Sequence, residues 1–174
     1  AFSADGSRLV TADRIDMTAR VWDTKTSKEI LTLKGHTGAV TSASFRADGS
    51  RIVTASSDKT AKVWDANTGA AVLTLKGHPN FVSAASYSPD GERVLTVSGT
   101  ALVWDANTDR EALTLGGHTG GVTVATLSAD GSRAVTAGDD ATVKVWDTRT
   151  GKELHTLAGH TAVVTAASFS PDGT

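Results

Sequence analysis

The chain has 174 residues, 39% hydrophobic and 21% charged, with a formal net charge of −2. That balance predicts one soluble, globular domain rather than a disordered chain, and its scattered lysines and arginines argue against nucleic acid or an anionic membrane as partner. The absence of cysteine excludes disulfides and thiolate zinc sites and fits a reducing, cytoplasmic compartment, while no apolar run approaches the roughly 18 residues of a membrane span and no signal peptide or low-complexity stretch is present.

Taken in order, residues 1–6 (AFSADG) match only the end of a strand that recurs later, as comparison with Ser44–Gly49 shows. Strands are expected near 8–12, 18–23 and 28–33. The next stretch, Gly35–Asp65, then returns along the chain with small changes. Gly-His recurs at His36, His78, His118 and His160, at intervals of 42, 40 and 42 residues; Trp-Asp recurs at Trp22, Trp64, Trp104 and Trp146 at the same intervals. Two independent markers with one period define an internal repeat, and a period of about 40–45 residues implies one supersecondary unit stacked many times.

Within the second unit, four runs are predicted as strands: Val40–Phe45, Arg51–Ser56, Thr60–Asp65 and Ala70–Leu75. They are short and rich in Val, Ile, Thr and Trp, and Ala61 and Val63 alternate with Lys62 and Trp64 at period two. Turn chemistry separates them. Ala47-Asp48-Gly49, Pro89-Asp90-Gly91, Ala129-Asp130-Gly131 and Pro171-Asp172-Gly173 divide the first two strands of successive units. A second turn follows each Trp-Asp, ending on Gly69 and Gly151 in two units. Ser27 and Asp109 replace that glycine in the others. Aspartate tolerates left-handed backbone, so Asp109 is a mild departure, whereas Ser27 is expected to change the turn type.

The units are not identical. Thr11–Trp22 is one residue longer than Thr54–Trp64, the extra residue falling around Asp13-Arg14-Ile15-Asp16. The third unit loses two residues in its second hairpin, Val97-Ser98-Gly99-Thr100, and with them its turn aspartate. The fourth is complete. Residues 159–174 supply a fresh Gly-His and an expected first strand, Val163–Ser170. The chain opens on Ala1 and closes inside a motif, and is therefore read as a stretch of a longer array or a processed chain.

Four antiparallel strands repeated radially make a β-propeller, and these motifs resemble the tryptophan–aspartate (WD) repeat family of propellers over essentially the whole chain. The near-identical units are similar to bacterial arrays that accompany signalling or defence domains. The resemblance implies an all-β partial propeller, residues 1–174, with blades at about 1–34, 35–76, 77–116 and 117–158 and an extra first strand at 159–174. It also implies a hydrogen-bonded tetrad in each blade: His36, Thr54, Asp58 and Trp64, then His118, Thr136, Asp140 and Trp146. The third blade keeps His78, Thr96 and Trp104, with Ser98 or water expected in the aspartate's role. His160 is expected to complete a set with Thr11, Asp16 and Trp22, within one chain or between two. The family usually closes with about seven blades, six or eight also being known. Four would leave two apolar end faces and unpaired edges, so a two-fold dimer making eight blades, or an excerpt of a longer propeller, is expected.

No catalytic motif is present: no G-x-S-x-G, no P-loop, no H-E-x-x-H. The histidines could serve a metal or acid–base chemistry, but one per unit beside a tryptophan does not converge on one ion, and structural hydrogen bonding is the simpler reading. His155 is expected on the rim. Gly116-Gly117 and Gly120-Gly121 precede no helix, so they read as a turn rather than a phosphate cradle. No cofactor or metal is expected. The resemblance places partner contacts on the Gly-His loops and second-to-third-strand turns: Ala39, Thr41, Ser57, Phe81, Ser83, Gly121, Thr123, Asp139, Val163, Thr165 and Ile15. Most are small; Phe81 is either a binding anchor or an aromatic packed on the next blade. The expected function is a non-catalytic protein-interaction scaffold or sensor with an unidentified protein partner. The alternative is a small-ligand or glycan binder using the central channel, although the inner strands carry only small, bland residues.

Overall fold

The computed structural model describes residues 1–108 and 110–170, with the backbone alone at residue 112. Asp109 and the turn at 171–174 lie outside the described residues. Every element among these residues is a strand, and no helix is long and apolar enough to cross a membrane. The first sheet holds β1 (Arg8–Ala12), β2 (Ala19–Asp23) and β3 (Glu29–Leu33). The second holds β4 (Val40–Phe45), β5 (Arg51–Ser56), β6 (Ala61–Asp65) and β7 (Ala71–Leu75). The third holds β8 (Ala84–Tyr87), β9 (Arg93–Val97), β10 (Ala101–Asp105) and β11 (Glu111–Leu115), and the fourth β12 (Val122–Leu127), β13 (Arg133–Gly138), β14 (Thr142–Asp147) and β15 (Glu153–Ala158). All pairings are antiparallel, between strands consecutive in the chain.

Register decides what each face carries. In the second sheet Ile52 lies opposite Trp64 and Thr54 opposite Lys62, all on one face; Val53 opposite Val63 and Ala55 opposite Ala61 fill the other. Both faces hold large apolar side chains, so a sheet of this kind must be covered on both sides. The chain solves this by stacking. Val10, Val21 and Leu33 of the first sheet cluster with Ile52 and Trp64 of the second. Val63 and Leu75 of the second cluster with Trp104 of the third, and Val103 and Leu115 of the third with Trp146 of the fourth. The indole face of each sheet thus packs on the valine–leucine face of the one before. Burying one such leucine contributes about 1.5–3 kcal/mol.

The first strand of each later sheet meets the preceding one: β4 lies against β1, β8 against β5 and β12 against β9, with β4 also against β8. Polar staples fix this order. The Val40, Val82 and Val122 N–H groups donate to the carbonyls of Asp13, Ser56 and Gly99 on the preceding sheet, at 3.2, 3.0 and 3.0 Å. At the opposite end Arg8 donates to the Gly49 and Ala66 carbonyls at 2.6 and 3.0 Å, and Arg93 to the Thr148 carbonyl at 2.7 Å. The result is a run of propeller blades.

Two expectations need correction. Val163–Ser170 is not a strand. Its sequence pattern suits one, but a strand exists only where a second chain segment completes the ladder, and that segment would be the second strand of a further sheet. Ser27 does not change the turn type either. Its φ is +58°, beside +73° and +71° at Gly69 and Gly151, and its N–H reaches the Asp23 carbonyl at 2.9 Å, as theirs reach Asp65 and Asp147. The left-handed turn survives without glycine, at a steric cost of about 1–2 kcal/mol.

Candidate functional site

Each sheet's chemistry gathers at one end, where the Gly-His loop folds over the turn between second and third strands. In the second sheet His36 Nε2 lies 2.7 Å from Thr54 Oγ1 and Nδ1 lies 2.8 Å from Asp58 Oδ2. The Trp64 indole N–H donates to Thr54 Oγ1 at 2.8 Å. A carboxylate only accepts, so Nδ1 carries the proton, Nε2 accepts from Thr54, and every polar atom of the string is used. Asp58 also accepts from the Thr37 N–H at 3.0 Å and the Thr60 hydroxyl at 2.6 Å. Burial pushes its carboxyl up, but the hydrogen bonds from Thr60, His36 and Thr37 outweigh that and bring it down to about 2. Burial pushes the His36 imidazole down against the pull of Asp58, which keeps it neutral. The fourth sheet repeats the string: His118 lies 2.8 Å from Thr136 and 3.0 Å from Asp140, and Trp146 donates to Thr136 at 2.7 Å.

The loop can descend this far only without a side chain. A Cβ on Gly38 would stand 2.8 Å from the Asp58 nitrogen, and one on Gly120 equally close to that of Asp140. The Gly120-Gly121 pair therefore serves a close backbone approach inside a turn.

The third sheet departs from the expected arrangement. His78 Nε2 lies 3.0 Å from Thr96 and Trp104 donates to Thr96 at 2.8 Å, but Nδ1 faces the Lys59 carbonyl of the second sheet at 3.2 Å. Neither Ser98 nor a new carboxylate takes the aspartate's place. Ser98 Oγ is buried without a partner. Its counterpart Ser56 donates to the Gly38 carbonyl and accepts from the Asp58 N–H; the two-residue deletion removes the second of these partners, and Asn80 stands where Gly38 does. In the first sheet Trp22 donates to Thr11 at 2.9 Å, while Asp16 pairs with Arg20 at 2.8 Å. His160 is exposed near Val143 and Leu157 and does not join them within the chain; His155, on β15, is exposed as well.

A hydroxyl–imidazole–carboxylate string is also the arrangement of an activated nucleophile. Here the hydroxyl is out of reach: Thr54 and Thr136 are fully buried, and each already accepts from an indole. Among the described residues no cluster of His, Asp and Glu could hold a metal ion.

The surface positions fall into two groups. Thr41, Ser83 and Thr123 spend their hydroxyls on backbone: Thr41 and the exposed Thr123 donate to the Val82 and Val164 carbonyls of the following unit at 2.6 Å, and Ser83 donates to the Val97 carbonyl at 3.2 Å. Ala39 and Gly121 are half-buried. Ser57, Asp139, Thr165, Ile15, Val163 and Phe81 face solvent, the last three being large apolar side chains at 86%, 48% and 57% exposure. The hydroxyl staples were not legible as such in the sequence, though their spacing of one unit from the carbonyl they meet was a usable signal.

The family model described as WD domain, G-beta repeat matches residues 1–23, 27–65, 69–105, 110–147 and 151–174. No curated protein matches the chain. The matched unit is offset from the sheets: residues 27–65 take in β3 of the first sheet and β4, β5 and β6 of the second. The three inner matches, 27–65, 69–105 and 110–147, thus each tie two sheets together. The family is typically a non-catalytic platform for protein interaction. With the model matched in five segments along nearly all of its length, the chain belongs to the WD40 repeat family.

Proposed function

We propose that this chain is a non-catalytic protein-interaction module, a scaffold or sensor, that engages a protein partner with the end bearing the Gly-His loops. The observation that carries this reading is Phe81, an aromatic side chain 57% exposed on the β7–β8 connection. Ile15, on the β1–β2 turn, and Val163, on the Gly-His loop after β15, are exposed too. Exposed aromatic side chains on loops held by a rigid scaffold are suited to anchor protein interfaces, with apolar neighbours excluding water around them. A small ligand or glycan in the central channel has less support. The hydroxyls of Ser42 and Ser44 on an inner strand are spent on Ala85 of the next sheet, and Thr41 on Val82.

The test compares proteins retained by the immobilised native chain, by Phe81→Ala and by Asn67→Ala, the last altering a turn at the opposite end. Loss of a central anchor weakens binding about tenfold or more. Partners held by the native chain and by Asn67→Ala should be lost from Phe81→Ala; equal recovery from all three sinks the reading.

A further inference from the structure

The three seams between sheets are built alike, and the two outermost faces carry the matching halves uncovered. Leu33, Leu75 and Leu115 close the last strands of the first three sheets at 0%, 0% and 1% exposure; Leu157, at the same register in the fourth, is 57% exposed. At the other end Trp22 is only half-buried, beside Leu9 and Phe2, while Trp64, Trp104 and Trp146 are sealed. We propose that a second copy of this chain covers these faces head to tail, the indole face of one copy's first sheet seating on the valine–leucine face of the other's fourth sheet, with both seams formed in a closed dimer.

The internal seams supply the geometry. In each, the leucine joins the next sheet's indole in one cluster, so Leu157 meets Trp22 of the second copy. The loop that starts the next sheet is already in place: the Val164 N–H donates to the Gly138 carbonyl at 3.3 Å, as Val40, Val82 and Val122 do at their seams. That brings His160 to the position of a Gly-His histidine with, among the described residues, no hydroxyl bonded to its ring. The complementary hydroxyl is Thr11 Oγ1, which accepts from Trp22 and, among the described residues, meets no imidazole. Among the described residues the inner edge of its strand is paired by Ala1, Phe2 and Ser3 as far as Val10, leaving the edge at Thr11 and Ala12 for residues that follow Val164.

Two irregularities fit each other. Ala162 stands where Gly38 and Gly120 leave room for a turn, and the turn it would face, Asp13–Asp16, is the one with an extra residue. Arg133 is exposed, at the position from which Arg8 and Arg93 reach carbonyls of the next sheet. A heterologous contact must close into a ring or extend into a filament, and four sheets from each of two copies make a ring of a size that WD propellers adopt.

Sedimentation of the 174-residue chain over a wide concentration range tests this. The expected mass is twice the 17.9 kDa of one chain, limited at that value. Leu157→Glu blocks one half of the seam and Leu9→Glu the other, each checked for native β-structure by circular dichroism; Phe2→Glu replaces Leu9→Glu should that chain not fold. Each variant alone should be monomeric, and a mixture should form a two-chain complex through its one intact seam. A native chain that stays monomeric at every concentration overturns the proposal and assigns the two faces to flanking repeats. A Leu157→Glu dimer, a mixture that stays apart, or mass that grows without limit overturns it too.

Discussion

Thr54 shows how much one side chain carries. Its oxygen accepts the indole proton of Trp64 and its own proton goes to His36 Nε2, all three groups being buried. Thr54→Val keeps the shape and removes both bonds, leaving an indole N–H and an imidazole nitrogen unsatisfied. Each such group costs about 1–3 kcal/mol, so urea unfolding should show a loss of about 2–6 kcal/mol. The same change at Thr11 frees only the N–H of Trp22, on an open face where water can take it, and should cost less than about 1 kcal/mol. Equal losses at the two positions would mean that the methyl packing matters and the hydrogen bonds do not. The family resemblance, carried onto the repeat residue by residue, implied that His36, Thr54, Asp58 and Trp64 form one set. It could not show that His78 turns to a backbone carbonyl, because any residue at position 59 offers that oxygen.

At the scale of the element, turns are where sequence and structure part. The strands were legible because alternation and Asp-Gly punctuation both report local backbone preferences. Val163–Ser170 was misread because its alternation is as good as any, yet pairing depends on a distant segment. Ser27 was misread in the opposite sense: its local preference opposes the left-handed conformation, but β2 and β3 flank it with a fixed register and impose φ of +58°. Ser27→Gly should therefore stabilise the chain. It removes a steric cost of about 1–2 kcal/mol and adds about 0.5–1 kcal/mol of unfolded-chain freedom, a net gain of about 0.5–1 kcal/mol in chemical denaturation. A destabilised variant would show that the serine hydroxyl, not the backbone, holds this turn.

At the scale of the whole molecule, stability accumulates along a line, each core cluster joining two neighbouring sheets and the three inner sequence repeats each straddling a seam. Leu33, Leu75 and Leu115, which end β3, β7 and β11, and Leu157, one residue before the end of β15, make a controlled comparison, since they share residue type and register and differ in what lies across the seam. Leu33, Leu75 and Leu115 are enclosed on all sides. Replacing any of them with alanine opens a cavity between two sheets and should cost about 2–5 kcal/mol. Leu157 has no sheet across from it within its own chain, so Leu157→Ala should cost less than about 1 kcal/mol when unfolding is followed at high dilution. At concentrations where two chains associate, the same substitution should cost as much as its three counterparts, because the seam then exists and the unfolding midpoint becomes concentration-dependent. A uniform cost for all four at high dilution would mean that the fourth sheet's outer face is already covered in the single chain. A small cost for Leu157 at every concentration would mean that no second copy ever reaches it.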